Sequence, residues 1–236
     1  MGKTSSCVNL AYESAVHDDV SLIWDLDPQG ASSFYVNQKA KIKGGLDRFF
    51  AKKNALESSI KHTDFDNLDI IPADLSFRNI ELTLEQKKKP VAVIHKFLKQ
   101  IEREYSRVFL DCPPRLTVVS ENIFNASDLV LVPVIPSALS QRAWMQVLGF
   151  ASKRGYSLNK FRPFFTMVDM RRTLHRDSMK SFRERFPTTL LTVVPYAAEM
   201  EYMGVHQKPV QAFSGRSRSA LSYRALWQEV NQILTR

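Results

Sequence analysis

At 236 residues, 44% apolar and 24% charged, the chain has the composition of a packed globular protein, which excludes extensive disorder. Cys7 and Cys112 are too few and too far apart for a disulfide framework or a four-ligand zinc site, and they fit a reducing compartment. No run nears the ~18 apolar residues that span a bilayer, and the N-terminus lacks the basic-then-apolar pattern of a secretory leader. The net charge of +9 is lopsided. Residues 1–111 hold 16 Lys and Arg against 16 Asp and Glu; residues 112–236 hold 17 against 8, and 13 of the 17 are Arg. Such an Arg-rich half fits an anionic partner such as nucleic acid, or a solvated basic surface; charge alone leaves both open.

In chain order, the pattern predicts a helix over 4–15, strands over 20–25 and 68–71, and a helix over 91–104 with Val91, Ile94, Phe97, Leu98 and Ile101 at helical spacing. Strands follow over 108–111 and 129–134, a helix over 137–152, a strand over 164–168, a helix over 173–185, a strand over 190–194 and a helix over 219–234. Several strands are continuously apolar, as in a parallel sheet buried on both faces. The alternation predicts one α/β domain over 1–236 with a doubly wound, mostly parallel sheet and its ligand at the strand carboxyl ends. Residues 43–45 read as a loop, and 87–90 as an exposed loop before a helix whose first turn holds Pro90.

The chain opens Gly2-Lys3-Thr4-Ser5 before a helix. Glycine lets backbone approach phosphates, lysine neutralises their oxygens, and threonine can ligate Mg²⁺. Alone the tripeptide is a weak signal, and the earlier glycine and preceding strand of a full phosphate loop are absent from this sequence. Two further segments strengthen it. Asp25 and Asp27 end an apolar strand, and share a side if that strand continues; Asp111 ends another, before Pro113 and Pro114. Buried strand-end carboxylates need a cation or donors, and a strand-terminal Asp is a usual anchor for nucleotide-bound Mg²⁺. Each Asp singly also reads as a loop cap.

Together these segments resemble the ParA/MinD-type partition ATPases, P-loop NTPases of the deviant Walker A type, and the ParA branch in particular. The family loop Lys-Gly-Gly-x-Gly-Lys-Thr is matched from x onward, with Met1 as x; Asp-x-Asp-Pro-Gln-Gly is Asp25 to Gly30, and Asp-x-Pro-Pro is Asp111 to Pro114. The likeness continues through Thr166-Met167-Val168-Asp169-Met170-Arg171, Val194-Pro195, Lys208-Pro209-Val210 and Trp227-Gln228-Glu229-Val230, covering essentially the whole chain.

The resemblance implies ATP and Mg²⁺ as ligands. It gives Gly2 and Lys3 to the β and γ phosphates, Thr4 and Asp111 to Mg²⁺, Ser5 to the α phosphate, and Asp25 to the surroundings of the ion. Asp27 would position the attacking water, Asp169, Pro195 and Tyr196 would lie near the base, and Pro113 and Pro114 would belong to a γ-phosphate switch. It further implies an ATP-dependent homodimer, sequence-independent DNA binding, a ParB-like stimulating partner, no integral membrane association and a cytoplasmic, nucleoid-associated location. Arg171, Arg172, Arg176, Lys180, Arg183, Arg185, Arg216, Arg218 and Arg224 would meet the DNA.

The departures are the family's first loop lysine and first strand, both missing from this chain. Met1 as an internal codon accounts for this better than true truncation, because every downstream motif is intact; the chain as given is expected to bind nucleotide weakly and to be poorly stable. Ala31 stands where the family has Asn, and Tyr196-Ala197-Ala198 replaces a more basic stretch. Two alternatives stay open. One is a MinD-like use of a C-terminal amphipathic helix with Leu226, Trp227, Val230, Ile233 and Leu234 on its apolar side. The other is a non-catalytic adaptor. The five histidines are scattered, both cysteines read as packing, and Met200, Tyr202 and Met203 as core or dimer contacts.

Overall fold

The computed structural model describes residues 2–42, 44–51 and 56–235. They fall into two compact units, one of Thr4–Ala126 with Met203–Pro209, the other of residues 2–3, 127–202 and 210–235.

The first unit contains α1 (Lys3–Val16), β1 (Ser21–Asp25), α2 (Ala31–Tyr35), α3 (Gly45–Ala51), β2 (Lys61–His62), β3 (Leu68–Ile71), α4 (Ile80–Glu85), α5 (Val93–Leu98), β4 (Arg107–Asp111) and α6 (Val118–Ala126). Its sheet has the order β2-β3-β1-β4, with β1 parallel to both neighbours and β2 antiparallel at one edge. All five residues of β1 are buried, as its unbroken apolar run requires. Below it Trp24, Phe49 and Phe97 pack ring to ring, Phe49 stacked on Phe97 with centroids 5.4 Å apart.

The second unit contains β5 (Val130–Val134), α7 (Ala138–Lys153), β6 (Phe161–Val168), α8 (Thr173–Arg185), β7 (Val193–Pro195), α9 (Glu199–His206, its last residues grouped with the first unit), α10 (Val210–Ser214) and α11 (Arg218–Leu234). Its three strands are parallel in the order β5-β6-β7. Trp144, Phe165, Phe182 and Phe186 make its aromatic core. Ser137 and Ser217 start α7 and α11 by accepting the amides of Ser140 and Ala220.

The α/β, mostly parallel expectation holds. Three elements differ. The helix expected over 91–104 is a 3₁₀ turn at Pro90–Ala92 followed by the short α5; beyond Leu98, i to i−3 bonds such as Gln100 to Phe97 tighten the chain into turns toward β4. No side chain at Ala92 can cap α5, so Asn122 of α6 accepts the amides of Val93 and Ile94 at 2.9 and 3.1 Å. The strand expected over 190–194 is Val193–Pro195, because the amides of Leu191 and Thr192 are taken by the Glu229 carboxylate of α11 at 2.6 and 3.0 Å. The strand predicted from 164 starts at Phe161 and runs through Pro163, whose lost donor does not interrupt it. Lys87, Lys88 and Lys89 are exposed, with Pro90 at the head of its turn, as expected. Of the loop predicted at 43–45, Lys43 lies outside the described residues, Gly44 is a turn residue and Gly45 already starts α3.

Candidate functional site

In the first unit the parallel register sets the site. Asp25 of β1 stands directly opposite Asp111 of β4, and the two are 0% and 1% exposed. Two adjacent carboxylates out of water repel and are poorly solvated. The chain answers with the residues that open α2. Ser32 donates its hydroxyl to Asp111 Oδ2 at 2.8 Å. Ser33 donates both its amide and its hydroxyl to Asp25 Oδ2 at 2.9 and 2.8 Å, and accepts the Ala73 amide at 2.9 Å. Burial still pushes the Asp25 carboxyl up to about 7; the Ser33 bonds oppose this and the neighbouring Asp111 adds to it.

α1 brings Cys7 near these two carboxylates. Burial pushes the Cys7 thiol up, the charges of Asp111, Asp25 and Cys112 push it further, and its hydrogen bond with Ser32 opposes them. Thr4 lies one turn before Cys7, three residues away and therefore on the same helix face. The side chains of Lys3 and Thr4 are half-buried and make no hydrogen bond or ion pair among the described residues. Ser5 lends its carbonyl to Asn9 Nδ2 at 2.6 Å, and the same amide reaches Met203 Sδ at 3.2 Å, which makes Met203 a core contact.

β1 ends at Asp25, so Asp27 is not a second strand residue on the same side but part of a turn. Its amide donates to Asp25 Oδ1 at 3.3 Å, its Oδ1 accepts the Gln29 amide at 2.9 Å, and its carbonyl accepts the Gly30 amide. Asp27 thus caps its loop, and its Oδ2 has no hydrogen-bond donor among the described residues. Gly30 is required there: φ is +67°, and a Cβ would stand 2.9 Å from that of Ala40.

The chemistry of this group fits a hard divalent cation held with few protein ligands. It offers an unbonded threonine hydroxyl at the head of a helix and two sheltered carboxylates at one level. Among the described residues no cluster of three or more His, Cys, Asp or Glu is arranged to hold a metal alone. Mg²⁺ bound mainly through phosphates and water needs no such cluster.

The second unit holds the other expected residues. Gly2 has φ +83°, and a Cβ there would press on Thr166 of β6 at 3.0 Å. β6 and β7 change register between Phe165 and Val168, and Met167 adopts φ +56°. Just beyond, Asp169, Pro195 and Tyr196 line one open depression of about 550 Å³ with Met170, Arg171, Arg218 and Ser222. Arg171 clasps Asp169 through Nε and Nη2 at 2.9 Å each, and these bonds, with the Arg171 amide, hold that carboxyl down at about 2. The buried His175 accepts the Asp169 amide through Nδ1 at 3.1 Å.

Of the nine basic residues expected at DNA, Arg171, Arg172, Arg176, Lys180, Arg185, Arg216, Arg218 and Arg224 are exposed. Arg176 braces the 170–173 turn through the carbonyls of Met170 and Arg171. Arg183 differs from the rest: it is half-buried over the Phe165 ring and donates to the Leu191 carbonyl at 2.8 Å. Arg218 opens α11. Leu226, Trp227 and Val230, the centre of the apolar side of α11, are at most 2% exposed. Among the described residues no helix is long and apolar enough to cross a membrane.

Sequence reasoning missed Ser32, Ser33, Cys7 and His175. Two small hydroxyl residues, one position beyond Asp-Pro-Gln-Gly, were the available signal for the serines. Nothing local marks Cys7 or His175, whose partners lie on other elements.

A mostly parallel α/β fold with Gly-Lys-Thr at the start of its leading helix and paired carboxylates at strand ends is that of a P-loop NTPase. The family model described as an AAA domain (AAA_31) matches residues 1–160. The chain is 28% identical over 236 residues to the sporulation initiation inhibitor protein Soj of Bacillus subtilis (98% of this chain, 93% of Soj). It is 26% identical to the chromosome partitioning protein ParA of Caulobacter vibrioides (98% and 89%). The fold matches the septum site-determining protein MinD of Pyrococcus horikoshii, solved with Mg-ADP, at a TM-score of 0.77 and 18% identity, covering 99% of this chain and 92% of that one. The chain belongs to this AAA_31 family and is a ParA/MinD-type P-loop ATPase.

Proposed function

We propose that this chain, as one domain over 1–236, is an ATP-binding and hydrolysing ParA-like switch in the partitioning of DNA or the positioning of a cargo. The observation that supports this best is the level pair Asp25 and Asp111 at the ends of β1 and β4, in a chain whose first helix begins Lys3-Thr4. In this reading Gly2 keeps the backbone bare for phosphate approach, and Lys3 neutralises the β and γ phosphates. The Ser5 hydroxyl meets the α phosphate. Thr4 and Asp111 hold Mg²⁺ with Asp25 behind them. When bound, the ion neutralises charge developing on the phosphate oxygens. Asp27, with one carboxylate oxygen spent on its loop and the other unbonded, orients the attacking water. Asp169, Pro195 and Tyr196 take the base.

ATP then drives homodimerisation, and the exposed arginines of the second unit bind DNA without sequence preference. A ParB-like partner stimulates hydrolysis, and the protein works in the cytoplasm on the nucleoid. The relatives named for partitioning support this reading, as does the placement of the entire +9 charge in the second unit, where 16 Lys and Arg stand against 7 Asp and Glu.

Equilibrium binding of a fluorescent ATP analogue, phosphate release and DNA retention test it. The expected result is Mg²⁺-dependent binding and release, both lost in Lys3→Ala, and ATP-dependent DNA retention that falls steeply with salt. A folded wild-type chain that binds no nucleotide overturns it.

A further inference from the structure

The two hydroxyls that open α2 reach different strands. Ser33 stays on Asp25 of β1 and also accepts the Ala73 amide, a bond that ties it into the surrounding loops. Ser32 crosses to Asp111 of β4 at 2.8 Å. Ser32 is 0% exposed and Asp111 1%. A charged hydrogen bond sealed from water is strong and fixes carboxylate rotation. Ser32 also follows, by two residues of chain, the turn closed by the Gly30 amide on the Asp27 carbonyl.

We infer that Ser32 is a positioning residue: its hydroxyl fixes the rotation of Asp111 toward the cation and links occupancy of that cation to the setting of the Asp27 turn. The inference rests on the ATPase reading above and deepens it. It also separates Ser32 from Ser33. Ser33 stays on β1, whose Asp25 itself accepts the Asp27 amide, whereas Ser32 is the hydroxyl on Asp111 of β4, the proposed ion-holding strand. Groups that orient metal ligands in this way typically change metal affinity 10–100-fold when removed.

Mn²⁺ as the spectroscopic substitute for Mg²⁺ provides the test, in the full chain, with Ser32→Ala and Ser32→Thr. Mn²⁺ affinity is read by electron paramagnetic resonance, with and without a slowly hydrolysed ATP analogue. Nucleotide affinity is read in EDTA, and amide hydrogen exchange at residues 27–30. Ser32→Ala is expected to weaken Mn²⁺ binding about tenfold or more and to leave nucleotide affinity in EDTA unchanged. It is also expected to abolish the slowing of exchange at 27–30 that Mn²⁺ produces in the wild type, and Ser32→Thr restores both. A Ser32→Ala chain that melts lower yet keeps wild-type Mn²⁺ affinity and exchange overturns the inference, since that is what a purely structural hydroxyl gives. Should Ser32→Ala not fold, Ser32→Cys, which substitutes a weak donor, carries the same comparison. A folded wild type that binds neither nucleotide nor Mn²⁺ overturns the ATPase reading, and this inference with it.

Discussion

The two units use charge in opposite ways. The first is electrically balanced, with 17 Lys and Arg against 17 Asp and Glu, yet it buries Asp25 and Asp111 side by side. The second carries the whole net charge and leaves most of it on the surface. In the proposed function, charge that acts on one ligand atom is sheltered and bonded, because desolvation magnifies each interaction, and charge that meets a long anion of any sequence stays in water, where many weak contacts add.

Four substitutions or conditions probe this contrast. The largest effect is expected from Asp111→Asn, which keeps the shape of a buried strand end and removes its charge. ATP turnover should fall about 10²–10³-fold, while the metal-free chain melts no lower, since a repulsion is removed; calorimetry and phosphate release read the two sides. In the second unit, Arg172→Ala combined with Lys180→Ala removes two exposed cations that make no side-chain hydrogen bond or ion pair among the described residues. DNA affinity at low salt should drop about tenfold and the log–log salt slope flatten by about 2, with stability changed by no more than about 0.5 kcal/mol. An unchanged slope would remove these two residues from the DNA surface.

Glu229→Gln sharpens the contrast within the second unit, because Glu229 is an anion used structurally. Weakening its bonds to Leu191 and Thr192 should lower stability by about 1–2 kcal/mol in urea unfolding, with DNA binding unaffected. The smallest effect is a pH slope. Asp25 rises from its ordinary 3.8 to about 7 in the folded chain, so the folded state prefers the protonated acid. Its contribution is complete below about pH 4 and is lost as pH rises through 7. The melting temperature of the metal-free chain should therefore decline from pH 5 to pH 8, and Asp25→Asn should flatten the decline.

Most of the sheet could be read from sequence because its strands are unbroken apolar runs: Leu68–Ile71 lies where the pattern puts it, and β1 and β4 begin within a residue of it. The exceptions have tertiary causes. Thr192 has strand chemistry but gives its amide to a carboxylate from 37 residues away, and α5 depends on a cap supplied by Asn122 of another helix. The site divides the same way. Its acidic residues announce themselves at strand ends, whereas the register that sets Asp25 level with Asp111, and the serines that serve them, exist only once β1, β4 and α2 are assembled.

The bond between Glu229 and the approach to β7 has a mechanical consequence. α11 supplies the acceptors that Leu191 and Thr192 lack, and it buries Trp227 in the same unit. Peeling this helix away to lie on a lipid surface would strip two amides of their acceptors and unseat an indole together, so the buried centre of its apolar stripe serves the interior first.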